Sequence, residues 1–195
     1  MKKTLVLLLI FYINGYSQFM DPGKARGLFM SIAIGPRIPI SSFSNSQIMG
    51  IGFNVEISYT DNEFIPLFLY AKAGYEHYPG SIDFYRRTQY SSITTNAIPL
   101  NAGFRLFFPP ILENIVLLIP IIEAGGSYLI IEKSHQFKMD SGRNNYLEDN
   151  SKVGFHIGGG FSMFLIELAG TYNYYPDYEY LSADVRLRIP IFIKL

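Results

Sequence analysis

Residues 49–60, "MGIGFNVEISYT", constrain the fold more than any other stretch. Met49, Ile51, Phe53, Val55, Ile57 and Tyr59 alternate with Gly50, Gly52, Asn54, Glu56, Ser58 and Thr60. Successive side chains of a strand point to opposite faces, so this period of two predicts a strand with one apolar and one polar face. No comparably strong helical spacing occurs anywhere in the chain.

The same alternation recurs seven more times, centred on residues 28–35, 67–76, 98–108, 122–130, 153–163, 166–174 and 181–193. The apolar faces carry no Asp, Glu, Lys or Arg. The opposite faces carry five acids, Glu56, Glu76, Glu123, Glu167 and Asp184, and five bases, Arg37, Lys72, Arg105, Arg186 and Arg188. A soluble sandwich would bury the apolar faces and wet the charges. A transmembrane barrel would turn the apolar faces to lipid and the charges to its lumen.

Three features select the barrel. The strands are long, and about 9 to 11 tilted residues cross a bilayer, against about 5 to 6 in an average soluble strand. Glycines crowd the charged face (Gly35, Gly52, Gly74, Gly103, Gly125, Gly154, Gly158, Gly160), where they would make room for long Glu and Arg side chains in a narrow interior. The connections also differ in length at the two ends. Those near 36–48, 78–96 and 132–151 are long and polar, with 175–180 shorter. Those near 61–66, 109–117 and 163–165 are compact. Bacterial barrels have this asymmetry, with short periplasmic turns and longer extracellular loops. Tyr75, Tyr128, Tyr172 and Tyr174 fall at the expected outer ends of the apolar stripes, and Tyr59 and Phe108 at the inner ends, as two aromatic girdles. The expected fold is all-β, an eight-stranded antiparallel up-and-down transmembrane β-barrel.

The N-terminus reads as a secretory signal peptide over residues 1–17. Lys2 and Lys3 precede the apolar run "LVLLLIFYI", and the small residues Gly15 and Ser17 follow. Residues 18–26 form a short lead, and 27–195 the barrel. The chain has no cysteine, so disulfides and thiolate metal sites are excluded. Sixteen basic and sixteen acidic residues cancel, which leaves no net field to attract nucleic acid.

"GFHIGGGFSM", residues 154–163, invites a phosphate-loop reading. Such a loop needs glycines where a strand gives way to a helix. Here "FSMFLIELAGTYNYY" continues as strand, tight turn and strand, so the glycines belong to the lumen face of a strand.

With the signal peptide, "NAIPLNAGFRLFF", "PIIEAGGSYLI", "VGFHIGGGFSMF" and the terminal "LSADVRLRIPIFIKL", the sequence resembles the small outer-membrane β-barrel family of Gram-negative bacteria, of the OmpA/OmpX type, over residues 27–195. The resemblance implies a location in the outer membrane and contact with its lipid and lipopolysaccharide. It also implies insertion by the barrel-assembly machinery and a monomeric state. Members commonly end in an aromatic residue; here Phe192 lies three residues before Leu195.

The candidate site is a lumen salt-bridge network of Glu56, Lys72, Glu76, Arg105, Glu123, Glu167, Asp184, Arg186 and Arg188. It is read as structural, with a gated ion path as the alternative. Tyr85, Arg86 and Arg87 in "DFYRRTQYSS" form a candidate surface-binding loop, whose residue types suit phosphate or an adhesion partner. His77 with Ser81 and Asp83 is the one grouping reminiscent of hydrolase chemistry, and His156 falls on the lumen face as a packed polar residue. Asp140, Asn144, Glu148 and Asp149 do not have the spacing of a calcium loop. The expected function is non-enzymatic, without metal or cofactor. It combines a plugged lumen with a structural or surface-interaction role through the long extracellular loops and an unidentified extracellular ligand. A lipid-modifying enzyme and a small-solute channel are the alternatives.

Overall fold

A computed structural model describes residues 26–61, 67–111 and 117–194. The signal-peptide segment lies outside the described residues. Eight antiparallel strands follow in chain order: β1 (Arg26–Pro39), β2 (Gly50–Asp61), β3 (Leu67–Tyr78), β4 (Tyr90–Phe107), β5 (Ile119–Phe137), β6 (Tyr146–Met163), β7 (Ile166–Tyr174) and β8 (Tyr180–Lys194). Each pairs with its neighbours in sequence, and β1 pairs with β8, which closes the ring. Closure leaves no free edge within the wall, the condition for a sheet to sit in lipid.

Register turns the alternation into two surfaces. Val55 pairs with Ile32 and Ala73, and Glu56 with Ser31 and Lys72. Ile32, Val55, Ile57 and Leu69 are exposed on the outside, whereas Ser31, Glu56, Ser58 and Lys72 are buried inside. All ten charged residues of the expected inner face are buried. The outer surface is a continuous apolar belt, with Tyr75 and Tyr128 exposed toward one end and Tyr59 and Phe108 toward the other. An apolar belt of this extent is stable only against lipid.

The inward glycines serve a different purpose from the one expected. A Cβ on Gly103 or Gly125 would strike the backbone of the strand opposite, where the two glycines face each other. These positions allow close backbone approach in a tightly curved wall. Among the described inward glycines, only Gly52 clears space for a long cation, since a Cβ there would overlap the Arg37 guanidinium.

Two connections expected as loops are partly strand. β4 begins at Tyr90, β5 runs on to Phe137 and β6 starts at Tyr146. Together they form a three-stranded sheet that projects past the end of the wall, since β3 reaches only to Thr95 of β4 and β7 only to Phe155 of β6. A short helix, Ile82–Arg87, precedes β4. The expected alternation of β8 also breaks. Leu28 pairs with Phe192 and Phe29 with Pro190, so a bulge at Ile191 sets Phe192 rather than Ile191 opposite Leu28.

Candidate functional site: the charged lumen and the projecting sheet

The lumen charges gather into two clusters. In the larger, Arg105 donates from Nη1 and Nη2 to the two Glu56 oxygens at 2.7 Å each, and from Nε and Nη2 to Glu123 at 2.9 and 2.7 Å. Arg186 donates to Glu167 at 2.9 Å and lies 3.3 Å from Glu123, while Arg188 lies 2.6 Å from Glu167. Register explains the grouping: Arg105 pairs with Glu123 across β4–β5, and Glu167 with Arg186 across β7–β8. The planar fork of arginine satisfies two carboxylates at once.

The smaller cluster is centred on Arg37, which lies outside the nine residues assigned to the network. Its Nε donates to Glu76 at 2.7 Å and its Nη1 to Asp184 at 2.8 Å. Tyr78 and Tyr180 hydroxyls also donate to Glu76, at 2.8 and 3.1 Å. Alternation places Arg37 on the charged face, but nothing local in the sequence names Glu76 and Asp184, on β3 and β8, as its partners.

Lys72 departs from the network reading. It is buried but forms no ion pair among the described residues. Its cross-strand neighbour Glu56 has both oxygens taken by the Arg105 fork, and its other neighbour is Asn101.

Aromatic side chains pack toward both ends of the lumen. Toward the hairpin end a 3-10 turn, Ser41–Asn45, sends Phe43 inward, where its ring centroid lies 4.9 Å from Tyr78 and 5.1 Å from Tyr178. Tyr175, Tyr180, Leu129 and Ile131 are buried beside them. At the opposite end the Arg188 guanidinium lies over the rings of Phe29, Phe68 and Phe107, at 5.6, 5.2 and 4.7 Å. Beside the larger cluster, where the Arg105 guanidinium lies 4.7 Å from the Tyr70 ring, His156 Nδ1 is 2.7 Å from Ser127 Oγ, and its Nε2 meets the Tyr70 hydroxyl.

The other candidates are placed as follows. His77 Nδ1 lies 2.8 Å from Asn96 Oδ1 and is not brought to Ser81 or Asp83 by any hydrogen bond. Glu148 lies 2.9 Å from His135 Nε2, and among the described residues no three acids or histidines gather at metal-binding distance. Tyr85 is withdrawn from the candidate surface loop. Its hydroxyl donates to the Ile93 carbonyl and accepts from the Ile93 N–H, both at 3.1 Å. Arg86 and Arg87 remain exposed. Lys138 Nζ donates to the Tyr85 and Thr88 carbonyls at 2.9 Å and so ties the helix C-terminus to the hairpin.

No protein-family model and no curated protein matches the sequence. Among solved structures, Neisserial surface protein A is similar at 14% identity, with 86% of this chain and 99% of that chain covered and a TM-score of 0.56. The N-terminal β-barrel domain of Pseudomonas aeruginosa OprF matches at 14% identity, 86% and 99% coverage and a TM-score of 0.48. The attachment invasion locus protein Ail of Yersinia pestis matches at 12% identity, 85% and 99% coverage and 0.47. With its closed eight-stranded ring, its apolar outer belt and its likeness to Neisserial surface protein A, the chain has the fold of the small eight-stranded outer-membrane β-barrels.

Proposed function

We propose that this protein is an outer-membrane barrel of a Gram-negative cell, with a lumen closed to solutes and a function carried by the sheet that projects from its hairpin end. The observation that carries the reading is the contrast between the two regions. Five carboxylates and five cations are buried in the lumen, most of them in ion pairs between different strands. Aromatic rings pack at both ends. Eight strands enclose a space that side chains fill, unlike the aqueous pore of 16 to 18 strands. The projecting β4–β6 sheet instead exposes Tyr146 and Leu147, and the short helix before β4 exposes Arg86 and Arg87.

In this reading the lumen clusters brace the wall, and the hairpin end faces outside the cell. The protein acts by contact and not by catalysis. Purified protein in planar bilayers is expected to give no stable, repeated conductance step. A reproducible open channel in the unmodified protein would move Arg37, Arg105 and Arg186 from braces to selectivity groups.

A further inference from the structure

The two edges of the projecting sheet are treated differently. On the β4 edge, the Tyr85 hydroxyl occupies both the N–H and the C=O of Ile93, and the helix Ile82–Arg87 lies alongside. That edge is blocked against strand addition. On the β6 edge, β7 begins to pair only at Phe155. From Tyr146 to Val153, β6 has β5 on one side and no paired strand on the other among the described residues. An unblocked edge presents a row of backbone donors and acceptors able to pair with another strand.

The sequence of this edge is complementary to itself. Antiparallel pairing of two copies about Asn150 sets Glu148 opposite Lys152, Leu147 opposite Val153, Asp149 opposite Ser151 and Asn150 opposite Asn150. Opposite charges and apolar pairs in direct register stabilise an antiparallel ladder, and like charges oppose it. Leu147 and Val153 are among the exposed apolar residues, at 63% and 73%, and they lie on the same face of β6. One residue of slip in the centre of symmetry removes this match. Centred on Asp149, the pairing sets Glu148 against Asn150 and Leu147 against Ser151.

Direction then fixes where the second copy sits. Two barrels in one membrane both run β6 from the hairpin tip toward the lipid. Their edges could meet only in the parallel sense, with Glu148 beside Glu148 and Asp149 beside Asp149. Two barrels in apposed membranes run β6 in opposite directions, which is the antiparallel arrangement. We propose that the Leu147–Val153 edge is a homophilic contact that pairs with the same edge of a second copy across two facing membranes. The contact joins cells to cells. A single pair of short strands binds weakly, and the many copies on two facing surfaces multiply it.

This inference rests on the membrane-spanning, outward-hairpin reading, so the test scores insertion separately. The protein is reconstituted into phosphatidylcholine vesicles, and insertion and orientation are read by gel mobility and by protease access to the hairpin. Vesicles with the unmodified protein are expected to aggregate, and empty vesicles to stay dispersed. Glu148→Lys puts Lys against Lys across the contact, and Lys152→Glu puts Glu against Glu, so each variant alone is expected to stay dispersed. Mixed in differently coloured vesicles, the two variants restore both charge pairs and are expected to form two-coloured aggregates. The double variant Glu148→Lys with Lys152→Glu is expected to aggregate by itself. Unmodified protein that is inserted hairpin-out but leaves vesicles dispersed overturns the contact and leaves the barrel standing. So do single variants that aggregate like the unmodified protein, or a mixture no more aggregated than its components. Recovery in the mixture cannot arise from a folding defect, because neither variant changes on mixing.

Discussion

Arg105→Ala tests the lumen most directly. Arg105 is fully buried and makes four hydrogen bonds, two to Glu56 and two to Glu123. Truncation leaves three carboxylates, Glu56, Glu123 and Glu167, to the cations Arg186 and Arg188. Glu123 keeps Arg186 at 3.3 Å, and Glu167 keeps Arg186 at 2.9 Å and Arg188 at 2.6 Å. Glu56 is left with the Arg186 guanidinium at 4.0 Å, and the hydrogen bonds to both its oxygens are gone. A buried ion deprived of its partner costs about 3 to 5 kcal/mol, and here the loss falls mainly on Glu56.

The chain has no Trp, so folding into vesicles is followed by the gel shift between folded and unfolded bands across a urea series. The comparison is Arg26→Ala. Arg26 lies 3.1 Å from Asp61, with the two side chains 52% and 34% exposed, and such pairs contribute about 0 to 1 kcal/mol. Adding Glu56→Gln to Arg105→Ala removes the orphaned charge and is expected to recover part of the loss. The coupling is expected at about 0.5 to 3 kcal/mol, the range for residues in direct contact. If Arg105→Ala costs no more than Arg26→Ala, or Glu56→Gln adds its own full penalty on top, the cluster does not brace the barrel.

Other consequences are equally direct. Val55 sits in the middle of the five outward residues of β2 from Ile51 to Tyr59, and Val55→Arg is expected to cost about 2 to 4 kcal/mol in the same titration. Exposed Asn144→Arg is the neutral comparison, because Asn145 accepts the Phe137 N–H and is not free to change. Gly52→Ala drives a methyl group into the Arg37 guanidinium and is expected to cost about 1 to 3 kcal/mol, whereas Gly126→Ala meets no atom within 4 Å and is expected to be tolerated. An epitope inserted near Asn144, at the β5–β6 tip, is expected to bind antibody on intact cells; labelling only after permeabilisation would invert the orientation.

The wall was legible because lipid and lumen impose opposite chemistries on alternate residues. In β2 every side chain declares its face, from Ile51 to Thr60. Legibility fails where the two faces do not differ in polarity. In the projecting sheet the face that buries Ile93, Thr95 and His135 is largely polar, as the exposed face is, so "SSITTN" and "YLEDNS" carry no apolar period and read as loops. At the hairpin end of the lumen both faces are apolar. In "SYLIIEK" the outward Tyr128 and Ile130 flank the buried Leu129 and Ile131, and the run hides the inward pair. The bulge in β8 was invisible because "RIPIFIK" is apolar in either register. Long-range partners were also out of reach. Alternation places Arg105 and Glu56 inside, but only barrel curvature brings residues from β4 and β2 within 2.7 Å.

Charge balance explains why Lys72 can remain without a contact partner. The larger cluster sets three arginines, Arg105, Arg186 and Arg188, against Glu56, Glu123 and Glu167, and is neutral. The smaller sets Arg37 alone against Glu76 and Asp184, and carries one excess negative charge. Lys72 lies on the same strand as Glu76, on the same lumen face, and pairs in register with Glu56. It therefore stands between the clusters and supplies the missing positive charge without joining either. Interactions between unit charges fall only as the inverse of distance and strengthen as water is excluded, so a buried ammonium need not touch a carboxylate to offset it. Contact geometry belongs to the arginines, whose forks lock the strands together, and the lysine completes neutrality at a distance. If the clusters brace the barrel as proposed, Arg105→Ala, which displaces a fork, is therefore expected to cost more than Lys72→Ala, which removes an ammonium without a contact partner, in the same urea titration.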